Sequence, residues 1–163
     1  MGCDIHAYLE KYTSVNGENK WVNVDYWQIN PHFGIDEDES EREYDHVSFY
    51  WGRNYDLFSI LAEVRGSMDP IADPRGLPED VTETTRKEYE RGDMVHTPSY
   101  YTLKELKDYL YNNSDDEEIV ENLKYFVDRM DNRFKEEFWI TNDDQKRYTV
   151  KENGFRVVFW FDN

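Results

Sequence analysis

A two-residue alternation in the opening stretch MGCDIHAYLE constrains this chain more than any other feature. Successive side chains on a β-strand point to opposite faces. A strand here puts Cys3, Ile5, Ala7 and Leu9 on one apolar face. Asp4, His6, Tyr8 and Glu10 then share the other. That second face is either a wetted outer surface or the floor of a polar site.

The far end, GFRVVFWFDN, also reads as a strand, rich in β-branched and aromatic residues. If both termini join one sheet, Asp4 and His6 lie near Asp162 or Trp160. The Asn-Gly pair within SVNGEN signals a hairpin, with KWVNVDYWQ as its second strand. On that strand Val22, Val24 and Tyr26 share one face, and Asn23, Asp25 and Trp27 share the other. PHFGIDEDESEREYD is dense in acid and lacks an apolar period, so residues 30–45 read as a solvated, flexible insert.

The middle of the chain is helical in pattern. Leu57, Phe58, Leu61 and Val64 form the buried stripe of a helix running from Asn54, its N-cap, to Arg65 and stopped by Gly66. A turn-rich, proline-rich loop follows, and Pro78 can open a second helix that runs to Arg91. Thr102 with Glu105, and Ser114 with Glu117, have the spacing of capping boxes for two more helices, the last reaching Phe138. The fold class expected is α+β: a small antiparallel sheet from the N-terminal hairpin and the C-terminal strand, packed by about four helices in one domain over residues 1–163.

Charge narrows the partners. The chain carries 36 acidic and 19 basic residues, a formal net charge of −17. Such a surface repels nucleic acid, so an anionic ligand must find a local basic pocket. Cys3 is the only cysteine, which excludes an intrachain disulfide and fits a reducing cytoplasm. No apolar run approaches the ~18 residues of a membrane span, and no apolar leader precedes Cys3. Walker, HExxH, Gly-x-Ser-x-Gly and dinucleotide-binding motifs are absent, and no cofactor is expected.

Two constellations could carry chemistry. Asp4 and His6 sit about 7 Å apart on one strand face. With His96 from GDMVHTPS they could read hydroxyls or base edges, act as acid and base, or hold a metal; Ser99 lies nearby in sequence. The plainer reading is a surface Asp–His pair. The second constellation is Arg53, Arg65 and Arg75, the only bases between Val47 and Pro78. Guanidinium pairs bidentately with phosphate or carboxylate. Tyr50 and Trp51 could stack on a base, and Gly76 lets backbone approach a ligand. The plainer reading pairs these arginines with the protein's own surplus acids.

The blocks MGCDIHAYLE, GRNYDLFSILAEVRG, PRGLPEDV, HTPSYYTLKEL and RVVFWFDN, in that order, resemble a family of small phage and prophage proteins. These open with Met-Gly-Cys-Asp-Ile-His and close on a Phe-Asp-Asn-like strand. The family blocks fall on Asp4, His6, Arg53, Asn54, Tyr55, Arg65, Arg75, Gly76, His96 and Asp162. Thr97 and Pro98 depart from the family's usual serine-containing segment, which puts Ser99 in doubt as a contact. The resemblance implies phage origin and action in the cytoplasm of an infected bacterium. The functional expectation is a counter-defence protein that binds and sequesters a small phosphorylated, nucleotide-derived signal, without direct nucleic-acid or membrane binding. Homo-oligomers are left open. The alternatives are a hydrolase of such a nucleotide, by metal or by acid and base, and an acidic DNA mimic that occupies a host protein.

Overall fold

The computed structural model describes residues 2–35, 42–138 and 152–163. Strand β1 (Asp4–Val15) turns through Asn16 and Gly17, both at positive φ, into β2 (Glu18–Asn23). Two left-handed residues match a type I′ hairpin turn. The C-terminal strand β6 (Phe155–Asp162) lies antiparallel to β1, pairing Asp4 with Asp162 and His6 with Trp160. Strand β5 (His96–Thr102) completes a sheet ordered β2-β1-β6-β5. The fold is α+β, and both chain ends meet in its sheet as the alternation required.

One face of this sheet is the main core. Cys3, Ala7, Leu9, Val157, Phe159 and Phe161 are fully buried there. They pack on α1 (Tyr55–Ala62), α3 (Leu103–Asn112) and α4 (Glu117–Phe138) through Leu57, Phe58, Leu106, Leu123, Phe126 and Phe134. Asn54 caps α1, its Oδ1 accepting from the Leu57 amide at 3.1 Å. Helix α1 ends earlier than its apolar stripe implies, because Glu63 takes the left-handed conformation that stops it; Gly66 lies beyond. The capping box of α3 forms as expected. At α4 the capping oxygen belongs to Asp116 rather than Ser114: its Oδ1 accepts from the Glu118 and Ile119 amides.

The other face is covered as well. Tyr8, Val81, Val158 and Trp160 form a second, smaller cluster under α2 (Glu83–Arg91). Pro78 does not begin this helix. It sits in a turn closed by the Val81 amide, and Thr82 is the cap. Arg156 and Glu10 tie this end of α2 to the sheet. Glu10 Oε2 accepts from the Thr82 amide at 3.0 Å, and Arg156 donates to Asp80 at 2.8 Å.

The expected second strand divides. β2 pairs with Glu10–Val15 only, so Asp4–Leu9 have no strand partner on that side among the described residues. Where the ladder stops, the Asp25 carboxylate accepts from the Leu9 amide at 3.1 Å. The chain then enters β3 (Tyr26–Ile29), which pairs with β4 (Tyr44–Val47) in a separate two-stranded sheet. The stretch expected to be a loose insert therefore ends in a strand. Its acidic centre, residues 36–41, lies outside the described residues. On one side Tyr26 meets Arg133 and Glu136 of α4; on the other, Trp27 and His46 pack toward Tyr8.

Candidate functional site

The polar face of β1 is walled by a ladder of rings. Tyr8 stacks on Trp160 at 4.8 Å between centroids and on His46 at 4.2 Å. His6 extends the stack beyond Trp160, and Trp27 closes it beyond His46. Cross-strand register sets the first half of this ladder. β4, returning from the acidic segment, adds His46, and β3 adds Trp27.

Beside the ladder is a cavity of about 440 Å³, lined by His6, Tyr8, Asp45, His46, Asp93 and Asp162 among others. Each imidazole has a carboxylate behind it. His6 Nε2 lies 2.9 Å from Asp162 Oδ2, and His46 Nε2 lies 3.1 Å from Asp25 Oδ1. The Asp25 side chain is only 1% exposed. Its Oδ2 accepts from the Leu9 amide and Asn23 Nδ2, so its position is fixed. Glu88 is also buried. Arg42 approaches it at 2.6 Å, Arg91 at 3.3 Å, and the Tyr8 hydroxyl donates to it at 3.5 Å. Burial, then the Glu88 charge, pushes the Tyr8 phenol far up, so it is a neutral donor at physiological pH.

Arg42 and Glu88 also line a larger groove of about 620 Å³ between α2 and the small sheet. Three rings, Trp27, Phe33 and Tyr44, share it with three cations, Arg42, Lys87 and Arg91. Glu43 and Glu88 are its carboxylates. Arg42 and Arg91 converge on the single carboxylate of Glu88, and Lys87 pairs with Glu83 at the exposed edge, so positive charge is concentrated here in a chain of net charge −17.

The residues expected from sequence are distributed differently. Asp4, His6, Arg53 and Arg65 gather at the end of the sheet where the termini meet. Arg53 grips Asp4 with two bonds of 2.8 Å, which holds that carboxyl below its ordinary range. Arg65 donates to Asn163 Oδ1 at 2.8 Å. Arg75 is elsewhere: it binds both Glu105 oxygens and the Tyr100 carbonyl, and lies over the Tyr101 ring. Tyr100 registers with Val158, four positions or about 13 Å along β6 from Asp162. The three arginines therefore do not share a hollow. Ser99 Oγ, fully buried, accepts from the Arg75 amide, and Gly76 at positive φ donates to the Pro98 carbonyl.

Tyr50 is a core residue, 5% exposed and packed edge-on against Phe126. Trp51 is 75% exposed, on a separate hollow with Arg129 and Arg133. Asn54 is occupied by its cap and by Asn122. His96 registers with Phe161 and stacks on its ring, whereas His6 registers with Trp160 on the opposite face. The trio Asp4, His6 and His96 therefore does not converge. Among the described residues no group of three or more histidines, cysteines or carboxylates is placed to hold a metal ion.

Sequence reasoning did not pick out Asp25, Arg42, His46, Glu88 or Arg91. A usable signal was the short alternation in YDHV, which offers His46 and Tyr44 on opposite faces from Asp45 and Val47 in pairs. The acid-rich context hid it. Compared with family models, curated proteins and solved structures, the chain matches none. No helix among the described residues is long and apolar enough to cross a membrane.

Proposed function

We propose that the protein binds a phosphorylated, nucleotide-class small molecule in the groove between α2 and the small sheet. The observation that carries this reading is the meeting of Trp27, Phe33 and Tyr44 with Arg42, Lys87 and Arg91 in one groove of a strongly acidic protein. Rings offer stacking faces to a base, and the cations offer charge-assisted bonds to phosphate. The adjoining cavity supplies carboxylate and imidazole acceptors suited to ribose hydroxyls. Arg42, at the junction and 2.6 Å from Glu88, can share its five-donor guanidinium with a phosphate. With the resemblance to phage proteins, the ligand would be a nucleotide-derived defence signal that the protein removes from circulation.

Calorimetric titration with AMP, GMP and ADP-ribose, each beside its unphosphorylated nucleoside, tests the reading. Binding should favour the phosphorylated member and weaken with salt. Lys87→Ala with Arg91→Ala should lower affinity by about tenfold or more. Equal affinity for nucleoside and nucleotide, or no binding, would remove the proposal.

A further inference from the structure

We infer that the cavity beside the groove is a hydrolytic centre that cleaves the N-glycosidic bond of the bound nucleotide, with His46 moving the proton. The inference rests on the binding reading, since the groove must orient the ligand. Three independent features of the cavity point to this chemistry.

The first is the sign of the charge. Asp45, Glu88, Asp93 and Asp162 line the cavity, and Arg42 is the one guanidinium among its described lining residues. Phosphoryl transfer concentrates negative charge, which these carboxylates would oppose. Breaking a glycosidic bond develops positive charge at the sugar carbon, as in an oxocarbenium-like transition state, which they would stabilise.

The second is the placement of His46. Its ring is stacked on Tyr8 and meets Trp27, and its buried Nε2 lies 3.1 Å from Asp25 Oδ1, although neither atom completes a hydrogen bond. A carboxylate at that distance steadies the imidazolium that forms on proton uptake. His46 lines the cavity, and Nδ1 is its one nitrogen outside the Asp25 contact. Asp25 is itself fixed by the Leu9 amide and Asn23, so the imidazole is held before any ligand arrives.

The third is the wall of the cavity. Trp160 and Tyr8, stacked on each other and under 5% exposed, form a rigid apolar wall that strengthens the field of the carboxylates.

The step needs only water. The water oxygen bonds to the sugar C1′ as the C1′–N bond breaks, and that bonding pair goes to the base nitrogen. His46 takes the proton released by the attacking water and delivers it to the departing base nitrogen. The products are a free base and a sugar phosphate with a C1′ hydroxyl. Nothing is oxidised or reduced.

Incubation with AMP, GMP and ADP-ribose, followed by chromatography and parallel calorimetry, provides the test. The intact protein should release free adenine or guanine, with oxygen from labelled water entering at C1′. His46→Gln should lower kcat by at least about 100-fold while affinity stays within about threefold. Asp25, a positioning residue, should respond to Asp25→Asn by a fall in kcat per nucleotide-binding site, with sites counted by calorimetry and KM unchanged; destabilisation would instead lower the number of sites and leave the rate per site intact. The labelled-water measurement uses the unmodified protein, so it stands even where a variant fails to fold. Nucleotide bound and recovered intact after denaturation would overturn the hydrolytic inference and leave the binding reading in place. Release of inorganic phosphate instead of base, or a folded His46→Gln protein at full rate, would also overturn it. Absence of both binding and turnover would remove the two together.

Discussion

Arg156 and Glu10 face each other across β6 and β1, with Arg156 Nε at 2.9 Å and Nη2 at 2.7 Å from one Glu10 oxygen, and neither side chain is more than 5% exposed. Arg156 also lies over the Trp21 ring at 3.9 Å. The pair holds the start of α2 against the sheet through Thr82 and Asp80, and α2 forms one wall of the groove. Removing one partner leaves the other buried and charged. Glu10→Gln should therefore cost about 3 kcal/mol or more in chemical denaturation, and replacing both residues with apolar ones should cost less. Equal losses would argue against this role.

Arg75 gives a prediction of the opposite kind. Its guanidinium is committed to Glu105 and to the Tyr100 carbonyl, far from the groove. Arg75→Ala should lower stability by about 1 kcal/mol and leave nucleotide affinity unchanged. A selective loss of affinity would return Arg75 to the binding site.

Tyr8 makes stability depend on alkaline pH. Its phenol ordinarily titrates near 10, and burial raises that value in the folded protein. Below pH 10 the phenol is neutral in both states, and its contribution is complete. As pH rises through that value the unfolded chain ionises while the folded one does not, so stability falls. Tyr8→Phe keeps the ring stack and removes the proton. Melting temperatures from about pH 8 to about pH 11 should decline less steeply in this variant than in the parent.

Gly66 is held by close packing. A Cβ there would stand 2.4 Å from the Tyr55 carbonyl oxygen and 2.5 Å from Ser59 Cβ. Neither can move without disturbing α1. Gly66→Ala should destabilise by about 1–3 kcal/mol, read from the shift of the denaturation midpoint. An unchanged midpoint would show that the turn after α1 can open.

The alternation of β1 and β6, the Asn-Gly turn, the Thr102–Glu105 box and the apolar stripe of α4 were all legible in the sequence, because each is a local pattern repeated at a fixed period. They determined an α+β chain whose two ends share a sheet, with Asp4 and His6 beside Asp162 and Trp160. Which carboxylate each arginine meets was not legible. Arg53 and Arg75 found carboxylates 49 and 30 residues away, and sequence distance says nothing of such pairs. Nor was the site itself. Asp25 reaches His46 only because the ladder of β1 and β2 stops at Glu10 and the chain crosses into a second sheet. Arg42 and Glu88 meet only where that sheet faces α2. Local periodicity selects the elements, but a site made of residues from β1, β3, β4, α2 and β6 exists only once their packing brings the side chains together.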